Sequence, residues 1–119
     1  MYEERETWSP LILFEYDHKL GNYCLMLSDN HMVAHCDLFE AAGYMGGGYD
    51  WGTIARQSIR AHAPELTGRL GMDPEAGTFV AYGTDLEALQ VLGGLLHAAF
   101  HDQVRLQALI EGADPDWFD

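Results

Sequence analysis

The stretch from Leu70 to Phe100 constrains the fold more than any other part of the chain. Its first half, LGMDPEAGTFVAY, reads as a β-hairpin. Asp73-Pro74 suits a type I turn, because proline presets φ at about −65°. Gly77 is expected to supply a left-handed residue before the returning strand. In that strand Thr78, Val80 and Tyr82 alternate with Phe79 and Ala81, the period of two that a pleated strand requires. The second half reads as a helix. Thr84 or Asp85 is a natural cap, with Glu87 in a capping-box-like place. Leu86, Leu89, Leu92, Gly93, Leu96 and Phe100 form one stripe, while Val91 and Leu95 lie opposite. A helix that is apolar on two sides needs two neighbours or a partner chain. A homodimer is therefore one expectation.

Upstream, residues 1–10 form a polar lead-in. Leu11–Tyr16 and Tyr23–Leu27 are short apolar runs separated by turn residues, which predicts a first hairpin. Ser28-Asp29-Asn30 breaks the pattern, and His31–Cys36 is expected as a third strand. Asp37 is placed to cap a short helix over Leu38–Ala42, ended by Gly43. Gly46-Gly47-Gly48 forms a loop. Trp51–His62 has a helical pattern capped by Asp50 and ended by Pro64, with Trp51, Ile54, Ala55, Ser58 and His62 on one face and Arg56 and Arg60 on the other. Glu111–Asp119 is an acidic tail around Trp117 and Phe118. The element order β-β-β-α-β-β-α predicts one α+β domain over residues 1–119: an antiparallel sheet of about five strands (two hairpins plus one) with two main helices on one face.

Charge narrows the partners. Nineteen carboxylates against six Lys and Arg leave a formal net charge of −13 over 119 residues. Phosphate backbones and anionic membranes are repelled by such a surface, so nucleic acid and membrane are excluded as expected partners. A basic protein or a metal ion fits better, although solubility alone also selects acidic surfaces. No run of 18 apolar residues is present in the sequence, so no spanning segment is predicted. MYEERETWSP is charged and lacks an apolar secretory core. Cys24 and Cys36 fit no metal or redox spacing and read as reduced thiols. The expected location is the cytoplasm.

Chemistry-bearing patterns are sparse. His97 and His101 stand one helical turn apart, a two-ligand arrangement seen in helical metal sites, but Ala98-Ala99-Phe100 between them rules out HExxH. Two rim histidines on an apolar helix are the simpler explanation. His31 and His35 share a face if their segment is a strand. His35 and Cys36 are adjacent, so in a strand they point to opposite faces and cannot form a nucleophile pair. The triple glycine lacks the GK[ST] ending of a phosphate loop, and Asp50 would repel phosphate. No cofactor and no catalytic residue is assigned, and the chain is read as a non-enzyme.

The segment GYMGGGYDW (Gly43–Trp51) is more pointed. It sets Tyr, Met, Tyr and Trp, types enriched at interface hot spots, among glycines. Trp51 reads as a core anchor, whereas Tyr44 and Met45 are as suited to a surface as to a core. GYMGGGYDWGTIA (Gly43–Ala55), followed by MDPEAGTFVAYGTDLEAL (Met72–Leu89), resembles the immunity protein 51 family of bacterial polymorphic toxin systems. The matching positions are Gly48, Tyr49, Asp50 and Trp51, then Asp73, Pro74, Glu75, Ala76, Gly77, Phe79, Ala81 and Tyr82. The resemblance is close over residues 37–100 and loose before them. Gly47 departs from it, since a polar residue such as Asn is expected there. The resemblance implies a cytosolic protein that binds and neutralises a cognate toxin, and a basic toxin suits the charge. Tyr44, Met45, Tyr49, Asp50, Asp37 and Glu40 are the candidate partner-binding residues. Gly48, Trp51, Asp73, Pro74, Gly77 and Tyr82 are candidate structural residues. The alternative is a metal- or small-ligand-binding domain using His97 and His101.

Overall fold

In the three longest strands, alternate positions are apolar and fully enclosed: Leu13, Leu25, Leu27, Phe79 and Ala81 are each 0% exposed. A computed structural model, which describes residues 1–118, shows how they line up. Strands β1 (Glu3–Glu4), β2 (Ile12–Glu15), β3 (Tyr23–Ser28), β4 (Gly71–Met72) and β5 (Thr78–Gly83) form one antiparallel sheet in the order β1-β2-β3-β5-β4. The register sets Leu13 opposite Leu25 and Leu25 opposite Ala81, with Leu27 opposite Phe79 on the same face. That face receives the helices, because each enclosed Leu or Phe side chain adds about 1.5–3 kcal/mol only if something covers it.

The cover comes from α3 (Gly48–His62) and α4 (Leu86–Phe100), two helices of 15 residues each. Trp51, Ile54 and Ala55 of α3 and Leu89, Leu92 and Leu96 of α4 complete the core, all at 0% exposure. Smaller helices α1 (Asp29–Met32), α2 (Cys36–Ala41) and α5 (Gln103–Gly112) surround them. The sheet, the two main helices and the α+β class are as the sequence reading anticipates.

Asp85 caps α4, its carboxylate accepting from Ala88 N at 3.1 Å. The Arg69 guanidinium donates to the same group at 2.8 Å, and that bond, with the backbone one, holds the carboxyl below its usual range.

Several local expectations are corrected. His31–Cys36 is not a strand: it is the end of α1, a 3-10 turn over Val33–His35, and the start of α2. Met32, His35 and Phe39 are buried, a helical spacing that continues into α2. The missing strand is supplied by Glu3–Glu4, inside the supposed lead-in, where Glu3 pairs with Phe14 and Glu4 with Leu13. Cys36–Ala41 replaces the helix expected over Leu38–Ala42, and Asp37 lies in its first turn, with His35 at the cap position. Gly47, not Asp50, occupies the cap position of α3, and His62 is exposed. The second hairpin turns at Ala76-Gly77, where Glu75 N donates to Thr78 O at 2.7 Å. Asp73 is still in the ladder, donating to Val80 O at 2.9 Å. Gly77 does not adopt positive φ.

Helix α4 has several neighbours, yet Val91 on its outer side is 40% exposed. One side meets the sheet and α3; α5 packs against it elsewhere. Trp8 fits over Gly93, where a Cβ would lie 3.3 Å from the indole.

Candidate partner interface

The loop between α2 and α3 is fastened from below. Asp50 is buried, and its Oδ2 accepts from Met45 N at 3.1 Å and Gly46 N at 2.6 Å. Lying in the first turn of α3, the carboxylate also faces the positive end of the helix dipole. Gly46 takes φ of +86°, and a Cβ there would press on Cys36 and Phe39 at 3.3 Å. Trp51 is 0% exposed and packs on Phe39 and Phe100, with ring centroids 5.8 and 5.9 Å away.

The two glycine-bearing strings of the sequence meet in space. Gly48 N donates to Ala76 O at 3.0 Å, and a Cβ on Gly52 would lie 3.2 Å from Pro74. At Gly47 a Cβ would come to 2.8 Å from Ala76 O. The departure at Gly47 therefore fits this chain's close approach to the hairpin turn.

Inward anchoring leaves the alternate residues outside. Met45 is 85% exposed and Tyr49 52%. Tyr44 is half-buried and stacks on Phe118 with centroids 3.8 Å apart and planes at 15°. Tyr44, Met45, Gly47, Tyr49, Asp50 and Phe118 line a cleft of about 350 Å³. Asp37 and Glu40 are exposed on α2 and do not line it. Tyr82 lies away from it, on β5, with its ring over Gly71. Phe118 was not singled out in the sequence; nor was the way its neighbour is held. Arg56 and Arg60 lie over the Trp117 ring at 4.1 and 4.5 Å, and Thr53 Oγ1 donates to Trp117 O at 2.6 Å. The available signal was an arginine pair one turn apart on α3 and an aromatic pair in the tail.

The histidines have other duties. His97 Nδ1 and His101 Nε2 approach Ser9 O at 3.0 and 2.7 Å. A carbonyl only accepts, so both nitrogens donate and the pair ties the N-terminal segment to α4. His31 is exposed, while buried His35 donates from Nε2 to Phe100 O at 2.6 Å. Among the described residues no group of three or more His, Cys, Asp or Glu is placed to hold a metal ion. Both cysteines are free. Burial pushes the Cys24 and Cys36 thiols up from their ordinary range, which lowers the thiolate fraction that a nucleophile needs. Among the described residues no helix is long and apolar enough to cross a membrane.

Asp50→Ala should loosen this loop without dismantling the fold. It orphans two backbone donors, at about 1–3 kcal/mol for a buried unsatisfied group. Asp50→Asn keeps an acceptor oxygen and should lose less. Faster amide exchange at Met45 and Gly46 in the alanine variant is the diagnostic; unchanged exchange would show that Asp50 does not hold the loop.

The result is a glycine-rich loop pinned by a buried carboxylate, with Met45 and Tyr49 turned to the exterior. Neither a curated protein nor a solved structure matches the chain. The family model for immunity protein 51 matches residues 11–115 of the 119, and the chain belongs to that family. The match extends past both ends of the 37–100 stretch in which the sequence resemblance is close.

Proposed function

We propose that this protein neutralises a cognate toxin by direct, stoichiometric binding, and that the loop over Tyr44–Tyr49 is part of the surface that meets it. The observation that carries this reading is the contrast within one segment. Asp50 and Trp51 are buried, while Tyr49 beside them and Met45 earlier in the loop stand at 52% and 85% exposure. A backbone already held in place loses less freedom on binding, so such a loop is preorganised for a partner. Large apolar and aromatic groups of this kind are the usual hot spots. The net charge of −13 favours a basic toxin and fast, salt-sensitive association. Neutralisation then proceeds by covering the toxin's working surface, with no chemistry performed by this chain.

Co-purification with the product of the neighbouring reading frame, followed by calorimetry at two salt concentrations, tests the reading. One-to-one binding that weakens with salt is the expected result. Met45→Ala and Tyr49→Ala should each weaken it by about tenfold or more. Absence of binding would refute the toxin reading. Full-strength binding by both variants would move the interface elsewhere on the protein.

A further inference from the structure

The sheet has a second face. Ile12, Phe14, Met26, Val80 and Tyr82 alternate with the enclosed residues and so point away from the helices. The register aligns them into rows: Ile12 opposite Met26 and Met26 opposite Val80, then Phe14 opposite Cys24 and Cys24 opposite Tyr82. An antiparallel sheet with one solvated face ordinarily shows polar residues there. Here Ile12, Phe14, Met26 and Val80 are half-buried and Tyr82 is 44% exposed, with buried Cys24 beneath them and the polar pair Ser28 and Thr78 at one end. A groove of about 430 Å³ runs over Ile12, Phe14, Tyr16 and Met26. Apolar side chains gathered on an otherwise uncovered sheet face fit an interaction site.

Charge decides what covers it. Glu3, Glu15 and Asp17 line the groove, against Arg5, which is already bonded to Glu3 at 2.6 Å, and the amino group of Met1. A second copy of this chain would bring the same acidic rim and another −13, which opposes self-association. We propose that this outer sheet face is a second contact surface for the toxin, fitting an apolar strip flanked by Lys or Arg. The proposal rests on the toxin reading above but concerns a different face from the Tyr44–Tyr49 loop.

The test uses the full chain and the protein encoded by the neighbouring reading frame. Ile12→Thr/Val80→Thr removes apolar surface while keeping β-branched strand formers. Asp17→Lys changes a rim charge on a side chain that is 81% exposed and leaves packing alone. The expected result is wild-type binding, about tenfold or more weaker binding by the double variant at an unchanged melting temperature, and slower association of Asp17→Lys at low salt. If the double variant fails to fold, the Asp17→Lys rate alone decides. Wild-type binding matched by the folded variants within about twofold would overturn the sheet assignment and leave the toxin reading standing. No binding by the wild type would remove both.

Discussion

Gly48→Ala should destabilise the protein by about 3 kcal/mol or more, at the upper end of what added methyl groups do in packed sites. The cause is local and rigid. A Cβ on Gly48 would overlap Glu75 O and come to 2.5 Å from Thr78 O. Both are backbone atoms of the hairpin turn, so neither can rotate aside as a side chain could. Relief requires moving the turn away from α3, which also breaks the Gly48 N to Ala76 O hydrogen bond. Gly77→Ala is the matched control in the same turn. Its backbone does not need positive φ, and its nearest obstacle is Asp29 Oδ2 at 3.5 Å. That variant should stay within about 0.5 kcal/mol of wild type. Urea unfolding with unchanged slope measures both. Equal midpoints for the two alanine variants would mean that the two motif strings do not meet as described.

This contrast also shows what a sequence carries. Both glycines belong to the family-like strings, yet one is required by a contact between strings and the other by none. Sequence spacing cannot distinguish them, because the obstacle to Gly48 lies on a turn far along the chain. The two hairpins and the two long helices were legible because their apolar periods are clean over many residues. His31–Cys36 was misread because a short apolar run suits either period, and tertiary packing of Met32, His35 and Phe39 decided for helix. Strand β1 was invisible for the opposite reason. Glu3 and Glu4 carry no strand signal and pair only because β2 offers an edge, where charged residues also discourage further pairing. Helix α5 left a readable trace: Asp102 accepts from Val104 N and Arg105 N, and Leu106, Leu109 and Ile110 form the buried stripe. Residue type left Tyr44 and Met45 open between surface and core, and in the fold Met45 is exposed, Tyr44 is half-buried and the candidate Asp50 is buried. The stacking of Phe118 on Tyr44 was not legible, because it is a long-range contact with no local pattern.

Trp51→Ala should cost about 3–5 kcal/mol, the range for truncating a buried large aromatic. Against a total of about 0.05–0.15 kcal/mol per residue, that removes a large share of the stability. The ring touches elements from three parts of the chain: Phe39 on α2, Phe100 on α4, and His35 at 6.3 Å. Its loss opens a cavity where α2, α3 and α4 converge, beneath the loop that Asp50 fastens. Trp51→Phe should be much milder than its lost area suggests. Trp51 Nε1 is buried with no hydrogen-bond partner among the described residues, and removing an unsatisfied donor recovers about 1–3 kcal/mol of desolvation penalty. The loss in packing and the gain from deleting the orphaned N–H therefore oppose each other in the phenylalanine variant, and only the loss operates in the alanine one. Unfolding followed by far-ultraviolet circular dichroism measures the pair without relying on tryptophan emission. A Phe variant as damaged as the Ala variant would mean that Nε1 has a partner in solution, such as a buried water, and that its bond contributes to anchoring the start of α3.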